Sequence, residues 1–210
     1  MVVVTFYTPE YKQEATELLV SCDNFGVDVK AYPKPSKGSW VHNCTIKAEV
    51  ILEALAEHQT GVVWVDADAR FRDVPSLFDR LDAYDFGCYW IPNVWNKKQN
   101  SHLRPWGPDR GNEALAGGTM YFNNTSKSID LINDWKEEAT KNPTVWEQQS
   151  LQKVWDRHDK NGLKTFCFPQ SYCKVFDAPW FEEEKPIIIE HTQASRRLKE
   201  KVNATRFKNN

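Results

Sequence analysis
A chain of 210 residues, 40% hydrophobic and 27% charged with a net charge of −2, has the size and composition of one ordinary globular domain and not of a disordered segment. No apolar run approaches the roughly 18 residues of a membrane span, and Met1-Val2-Val3-Val4-Thr5 reads as a strand with no basic leader, so a cytoplasmic protein is expected. Cys22, Cys44, Cys88, Cys167 and Cys173 are odd in number and lack CxxC spacing, which argues for free thiols over a disulfide framework or a zinc site.

The elements alternate between strand and helix patterns, which predicts an α/β domain built on a central, mostly parallel sheet flanked by helices. A strand at 2–7 leads to a helix over about 10–22, and a second strand covers 27–32 before Pro33 and Pro35 break the pattern. Asn43 is placed as the N-cap of a helix running to about His58, with Ile46, Val50, Ala54 and Leu55 on its inner face. Next come the apolar run Gly61-Val62-Val63-Trp64-Val65, a short helix at 75–81 and a strand at 85–90. Residues 91–116 lack periodicity and are rich in Pro, Gly, Asn and Trp, the composition of a lid or binding loop. A strand at 119–123, helices over 126–139 and 146–158, and strands at 164–168 and 187–190 complete a domain over 1–195. A basic tail follows at 196–210. From Thr192 onward Arg196, Arg197, Lys199, Lys201, Arg206 and Lys208 face Glu200 alone, which is either an anion-binding surface or a solvated, fraying helix.

The most informative segment is the run that ends in Asp66-Ala67-Asp68-Ala69. An uninterrupted apolar strand belongs in the middle of a parallel sheet, and the C-terminal ends of such strands form the active edge of α/β domains. Strand alternation points Asp66 and Asp68 the same way, a pair suited to a hard divalent cation bridging to phosphate; the alternative is that they cap the next turn. His191 ends a second apolar run, Pro186-Ile187-Ile188-Ile189-Glu190, and emerges at the same edge, as a ligand or as a structural histidine.

Apolar strand, Trp64-Val65-Asp66-Ala67-Asp68-Ala69 and then Val74-Pro75-Ser76-Leu77-Phe78 resemble the DxD segment of GT-A-fold glycosyltransferases, which use nucleotide-diphosphate sugars. Val2 to Thr8, Ala116-Gly117-Gly118-Thr119-Met120-Tyr121-Phe122-Asn123, Trp146-Glu147-Gln148-Gln149-Ser150-Leu151 and Glu190-His191-Thr192 follow in the order of that family, across residues 2 to about 197. The resemblance implies a single GT-A-like domain and a metal site of Asp68 and His191, with Asp66 near the ribose or bound through water. Imidazole favours Mn²⁺ over Mg²⁺. It further implies a nucleobase at Thr5, Tyr7 and Thr8, and Lys47 near the diphosphate in a pattern with Trp40 and Asn43. A solvent-facing lysine is the alternative for Lys47. Gly117 and Gly118 would border the donor sugar or form a tight turn. Glu147-Gln148 stands where retaining relatives carry Asp-Gln; otherwise Glu147 is a first-turn helix residue.

The function expected is metal-dependent transfer of a hexose from a UDP-sugar to an acceptor hydroxyl, with retention favoured. Should the reaction invert, Glu147 and Glu113 are candidate general bases. Lys47 or Arg196 and Arg197 would assist the departing diphosphate. A sugar-nucleotide binding module and a metal-dependent nucleotide-sugar hydrolase are the alternatives. Trp90, Trp95, Trp106 and Trp180 are either stacking residues or core, and the acceptor is a saccharide, a protein or, through the basic tail, a hydroxymethylated DNA base.

Overall fold
The computed structural model describes residues 1–91, 114–176 and 186–205, with the side chains of the last two outside the description. The expected loop therefore falls outside the described residues from 92 to 113, together with Glu113, Trp95 and Trp106, as do Trp180, Arg206 and Lys208. Six strands form the main sheet in the order β2-β1-β3-β6-β5-β7: β1 (Val2–Tyr7), β2 (Val29–Pro33), β3 (Val62–Val65), β5 (Phe86–Ile91), β6 (Ala114–Phe122) and β7 (Thr165–Cys167). β1 pairs in parallel with β2 and β3, and β5 with β7, while β6 runs antiparallel between β3 and β5. β4 (Ala69–Phe71), β8 (Lys174–Val175) and β9 (Ile189–His191) make a second sheet in the order β4-β9-β8.

Strand alternation builds the two cores. Val2, Val4, Val62, Trp64, Met120 and Phe122 face α3 (Ile46–His58), α4 (Ser126–Lys141) and α5 (Glu147–Lys160), whose Ile51, Leu55, Leu131, Trp135, Leu151 and Trp155 pack beneath them. Val3, Val63, Val65 and Tyr121 face the other way, onto Leu18 and Cys22 of α1 (Lys12–Asn24) and onto Phe71 and Ile189 of the small sheet. The small sheet is thus a lid on one end of the large one, bringing β9 alongside the end of β3. None of the five cysteines forms a disulfide, and among the described residues no helix is long and apolar enough to cross a membrane.

Two elements depart from the sequence reading, and a third falls on one of its two alternatives. The helix expected from Asn43 is two helices, α2 (Trp40–Cys44) and α3, separated at Thr45. Ser39 caps α2 by accepting from the His42 amide, and Asn43 is buried with its carbonyl oxygen accepting from the Lys37 amide. β6 begins at Ala114, five residues before the expected strand, because its first residues pair with Tyr89, Trp90 and Ile91 beyond a register shift after Cys88. The basic segment, read as an anion-binding surface or a fraying helix, is helical as α6 (Ser195–Thr205).

Candidate active site
β3 stops at Val65, and a tight turn follows in which the Ala69 amide donates to the Asp66 carbonyl at 2.9 Å. Asp66 and Asp68 therefore converge through this turn, not through alternation along a strand. Asp66 stays on the Trp64 side, its Oδ1 accepting from Trp64 Nε1 at 2.9 Å. Asp68 turns toward the other chain segment at this edge: its Oδ2 accepts from the Ala194 amide at 2.8 Å, and its carbonyl accepts from the Thr192 amide and hydroxyl, each at 3.0 Å. His191 ends β9 in register with Ala69.

The ligand atoms of Asp66, Asp68 and His191 all lie within 4.8 Å of one another. His191 is buried, with Nδ1 4.0 Å from Asp68 Oδ1 and Nε2 2.9 Å from the Thr119 hydroxyl. Burial lowers its pKa to about 4 against the opposing pull of Asp66, so the ring is neutral near pH 7. Burial and then repulsion from Asp66 raise Asp68 to about 6, although the Ala194 amide opposes both. A neutral imidazole oriented by a hydrogen bond on its far nitrogen, beside two close carboxylates, is a donor set that suits a divalent cation.

The other half of the site is built on Lys47. The structure excludes the solvent-facing alternative: Lys47 is only 4% exposed. Its ammonium contacts Asp66 Oδ1 at 2.8 Å, Glu147 Oε1 at 3.0 Å and the Gly117 carbonyl at 3.0 Å, and lies 5.2 Å from the centre of the Trp64 ring. Burial works against its charge, yet Asp66 and Glu147 outweigh burial and raise its pKa above the ordinary value. Glu147 opens α5, where the Trp135 indole fixes its carbonyl at 2.8 Å, and Gln148 accepts from the Gly117 amide at 3.2 Å.

Gly117 and Gly118 are held by protein on both sides. A Cβ on Gly118 would stand 2.8–3.1 Å from the His191 ring, so this glycine is what lets the imidazole lie against β6. At the end of β1, Thr5 is fully buried, Tyr7 is half-buried, and Thr8 is buried with a hydroxyl that has no hydrogen-bond partner among the described residues. Arg196 is exposed at the start of α6, its guanidinium over the Phe176 ring, whereas Arg197 pairs with Glu14 at 2.7 Å. Lys199 lies over Trp40 and Trp146, which meet edge to face. Trp90 belongs to the core, 4.6 Å from Trp155.

Thr119 and Arg70 escaped sequence reasoning. Thr119, next to the glycine pair, was the more visible of the two; buried Arg70 resembles a surface residue in sequence.

The family described as nucleotide-diphospho-sugar transferase matches residues 11–204. Among solved structures, a glycosyltransferase involved in the glycosylation of the major capsid of PBCV-1 is similar at a TM-score of 0.62 and 12% identity, over 99% of this chain and 98% of that one. No curated protein matches the sequence. The structural likeness shows the shared fold, and a family match over nearly the whole chain carries the rest: the protein belongs to the nucleotide-diphospho-sugar transferase family and is a glycosyltransferase.

Proposed function
We propose that the protein is a divalent-metal-dependent hexosyltransferase that moves a hexose from a UDP-sugar to an acceptor hydroxyl. The observation that carries this is the charge at the sheet edge. Among the described residues, Asp66, Asp68 and Glu147 face Lys47 as their one close cation, and His191 is neutral, so two negative charges are left among these groups where three ligand atoms already converge. Asp68 and His191 would hold the metal directly, with Asp66 alongside, and manganese is favoured by the imidazole. Bound there, the metal supplies charge stabilisation to the departing nucleoside diphosphate.

The chain's own groups divide the remaining work. Lys47 holds Asp66 and Glu147 in place, since each of its three donors already has an acceptor within the protein. Charge on the diphosphate then falls to the metal and to exposed Arg196. Thr8, with its unpartnered hydroxyl, and Tyr7 are assigned to the nucleoside at the end of β1. Glu147 and Gln148, packed against Gly117, are assigned to the donor sugar, which favours retention.

A glycan or protein acceptor is preferred to a nucleic acid. Arg197 is neutralised by Glu14, while Arg196 and Lys199 lie over Phe176 and the Trp40–Trp146 pair and keep their charge, so the basic segment is a smaller positive surface than its sequence suggested. The neighbour involved in the glycosylation of the major capsid of PBCV-1 supports this preference.

The deciding experiment is a panel of nucleotide sugars scored for binding and hydrolysis with and without Mn²⁺, and for product anomer by NMR. A UDP-hexose turned over only with metal is expected. Absence of metal-stimulated binding to any donor would overturn the proposal, binding without turnover would favour a binding module, and hydrolysis indifferent to every acceptor would favour a hydrolase.

A further inference from the structure
Arg70 opens the way out of the metal turn, one residue after Ala69 at the start of β4, and is buried. Its Nη1 donates to the carbonyl of Ala69 at 2.7 Å and to that of Glu14 at 3.2 Å, and it approaches the Ala67 carbonyl at 3.5 Å. Its Nη2 donates to Glu14 Oε2 at 2.7 Å and also to Glu17. Glu14, on α1, is itself buried, and its second oxygen accepts from Arg197 of α6 at 2.7 Å. One guanidinium thus ties α1 to carbonyls on the turn that presents Asp66 and Asp68. The tie reaches the third ligand too, because Ala69 is the register partner of His191.

We propose that Arg70, braced by Glu14, is a positioning residue for the metal site, setting the turn that carries Asp66 and Asp68 relative to His191. This rests on the metal-dependent donor site proposed above. The competing explanation is that Arg70 merely neutralises buried Glu14 and contributes to stability alone. Geometry favours positioning: a counter-ion needs only the carboxylate, whereas Arg70 also donates to the Ala69 carbonyl within the ligand-bearing segment. A lysine would keep the charge but not the planar fork that spans carboxylate and carbonyls together.

The test compares Arg70→Lys with Leu131→Ala, a core change in α4 on the opposite face of the sheet that lowers stability without touching the turn. Mn²⁺ binding is measured on each folded protein by calorimetry with no donor present, and amide hydrogen exchange is followed over residues 66–71. Arg70→Lys is expected to weaken Mn²⁺ by about 10–100-fold, the usual effect of losing a group that orients ligands, and to speed exchange in that segment. Leu131→Ala should leave Mn²⁺ affinity within about twofold and the segment protected relative to the rest of the molecule. Unchanged Mn²⁺ affinity in folded Arg70→Lys, or an equal loss in Leu131→Ala, would overturn the proposal. Should the native protein bind no Mn²⁺, the metal reading fails on its own, and exchange still decides: protection of 66–71 unaltered by Arg70→Lys removes Arg70 from the role.

Discussion

The site has two halves that share Asp66 and differ in how their charge is settled. On the Lys47 side every donor of a buried ammonium meets an acceptor, and Glu147 and Asp66 meet their counter-ion within 3.0 Å. On the His191 side Asp68 gains one backbone amide for its carboxylate and stands 4.0 Å from an imidazole that burial keeps neutral. The Lys47 half is complete, so it is part of the fold. Among the described residues the His191 half has no cation paired with Asp68, and the proposed metal would supply the charge that this half is short of.

This contrast predicts opposite responses to substitution. Lys47→Met should be the most damaging change, destabilising the protein by about 3–5 kcal/mol, since it leaves Glu147 buried and Asp66 half-buried with no cation between them. Denaturant unfolding measures it, and adding Glu147→Gln to the same protein should restore part of the loss. Recovery of none would mean that packing of the Lys47 stem, not charge, holds this half together. Asp68→Asn should behave the other way. It relieves the repulsion from Asp66, so the metal-free protein should unfold no more easily than the native one, while Mn²⁺-dependent UDP binding falls by about 100-fold or more. His191→Ala should lose binding similarly. Unchanged UDP affinity in either folded variant removes that residue from the site.

Local pattern made the incomplete half legible, whereas the members of the complete half were reached only through the family resemblance and their pairing was hidden. Asp66, Asp68 and His191 each end or follow an apolar strand, and a polar residue at the end of such a run is a local signal that the sheet topology then gathers to one edge. The sheet faces were legible for the same reason, as Val2 and Val4 alternate with Val3, and Val62 and Trp64 with Val63. Lys47 and Glu147 lie 100 positions apart, and Arg70 and Glu14 lie 56 apart, so no periodicity records that they pair. The turn at Asp66–Ala69 replaces strand alternation because β3 ends with its apolar run at Val65, before either aspartate is reached. The bulge after Cys88 hid the early start of β6.

Gly118→Ala tests whether the open half depends on close packing as well as charge. The added methyl would lie 2.8–3.1 Å from the ring carbons and nitrogens of His191, closer than contact allows, and the imidazole must move away from Thr119. Mn²⁺ affinity should fall by about tenfold in a protein that still folds cooperatively. Gly117→Ala, whose Cβ would meet Gln148 at 3.4 Å and Glu147 at 3.7 Å, should have a weaker effect on the metal and is the appropriate comparison. Equal metal affinities in the two variants would show that the glycine pair does not distinguish the halves.

The smallest effect, and the finest probe of the open half, is its pH dependence. Asp68 is raised to about 6, so Mn²⁺ must displace a proton below that pH, and affinity should fall by about tenfold per unit from pH 6 toward pH 4 while staying flat above 6. Stability without metal reports the same groups with opposite signs. A carboxyl raised in the folded state favours folding most below its unfolded value near 3.9, and that contribution is lost as pH rises through about 6. A histidine lowered to about 4 contributes fully above its unfolded value near 6.5 and loses the contribution as pH falls through about 4. Between about pH 4 and 6 the two slopes oppose, and these two groups together should leave the stability of the native protein nearly level. Asp68→Asn removes one of them, so its stability relative to the native protein should climb with pH across that window. Denaturant midpoints of the two proteins at pH 4.5, 5.5 and 6.5 measure the difference, and parallel curves would show that Asp68 titrates normally and that the open half is not short of positive charge.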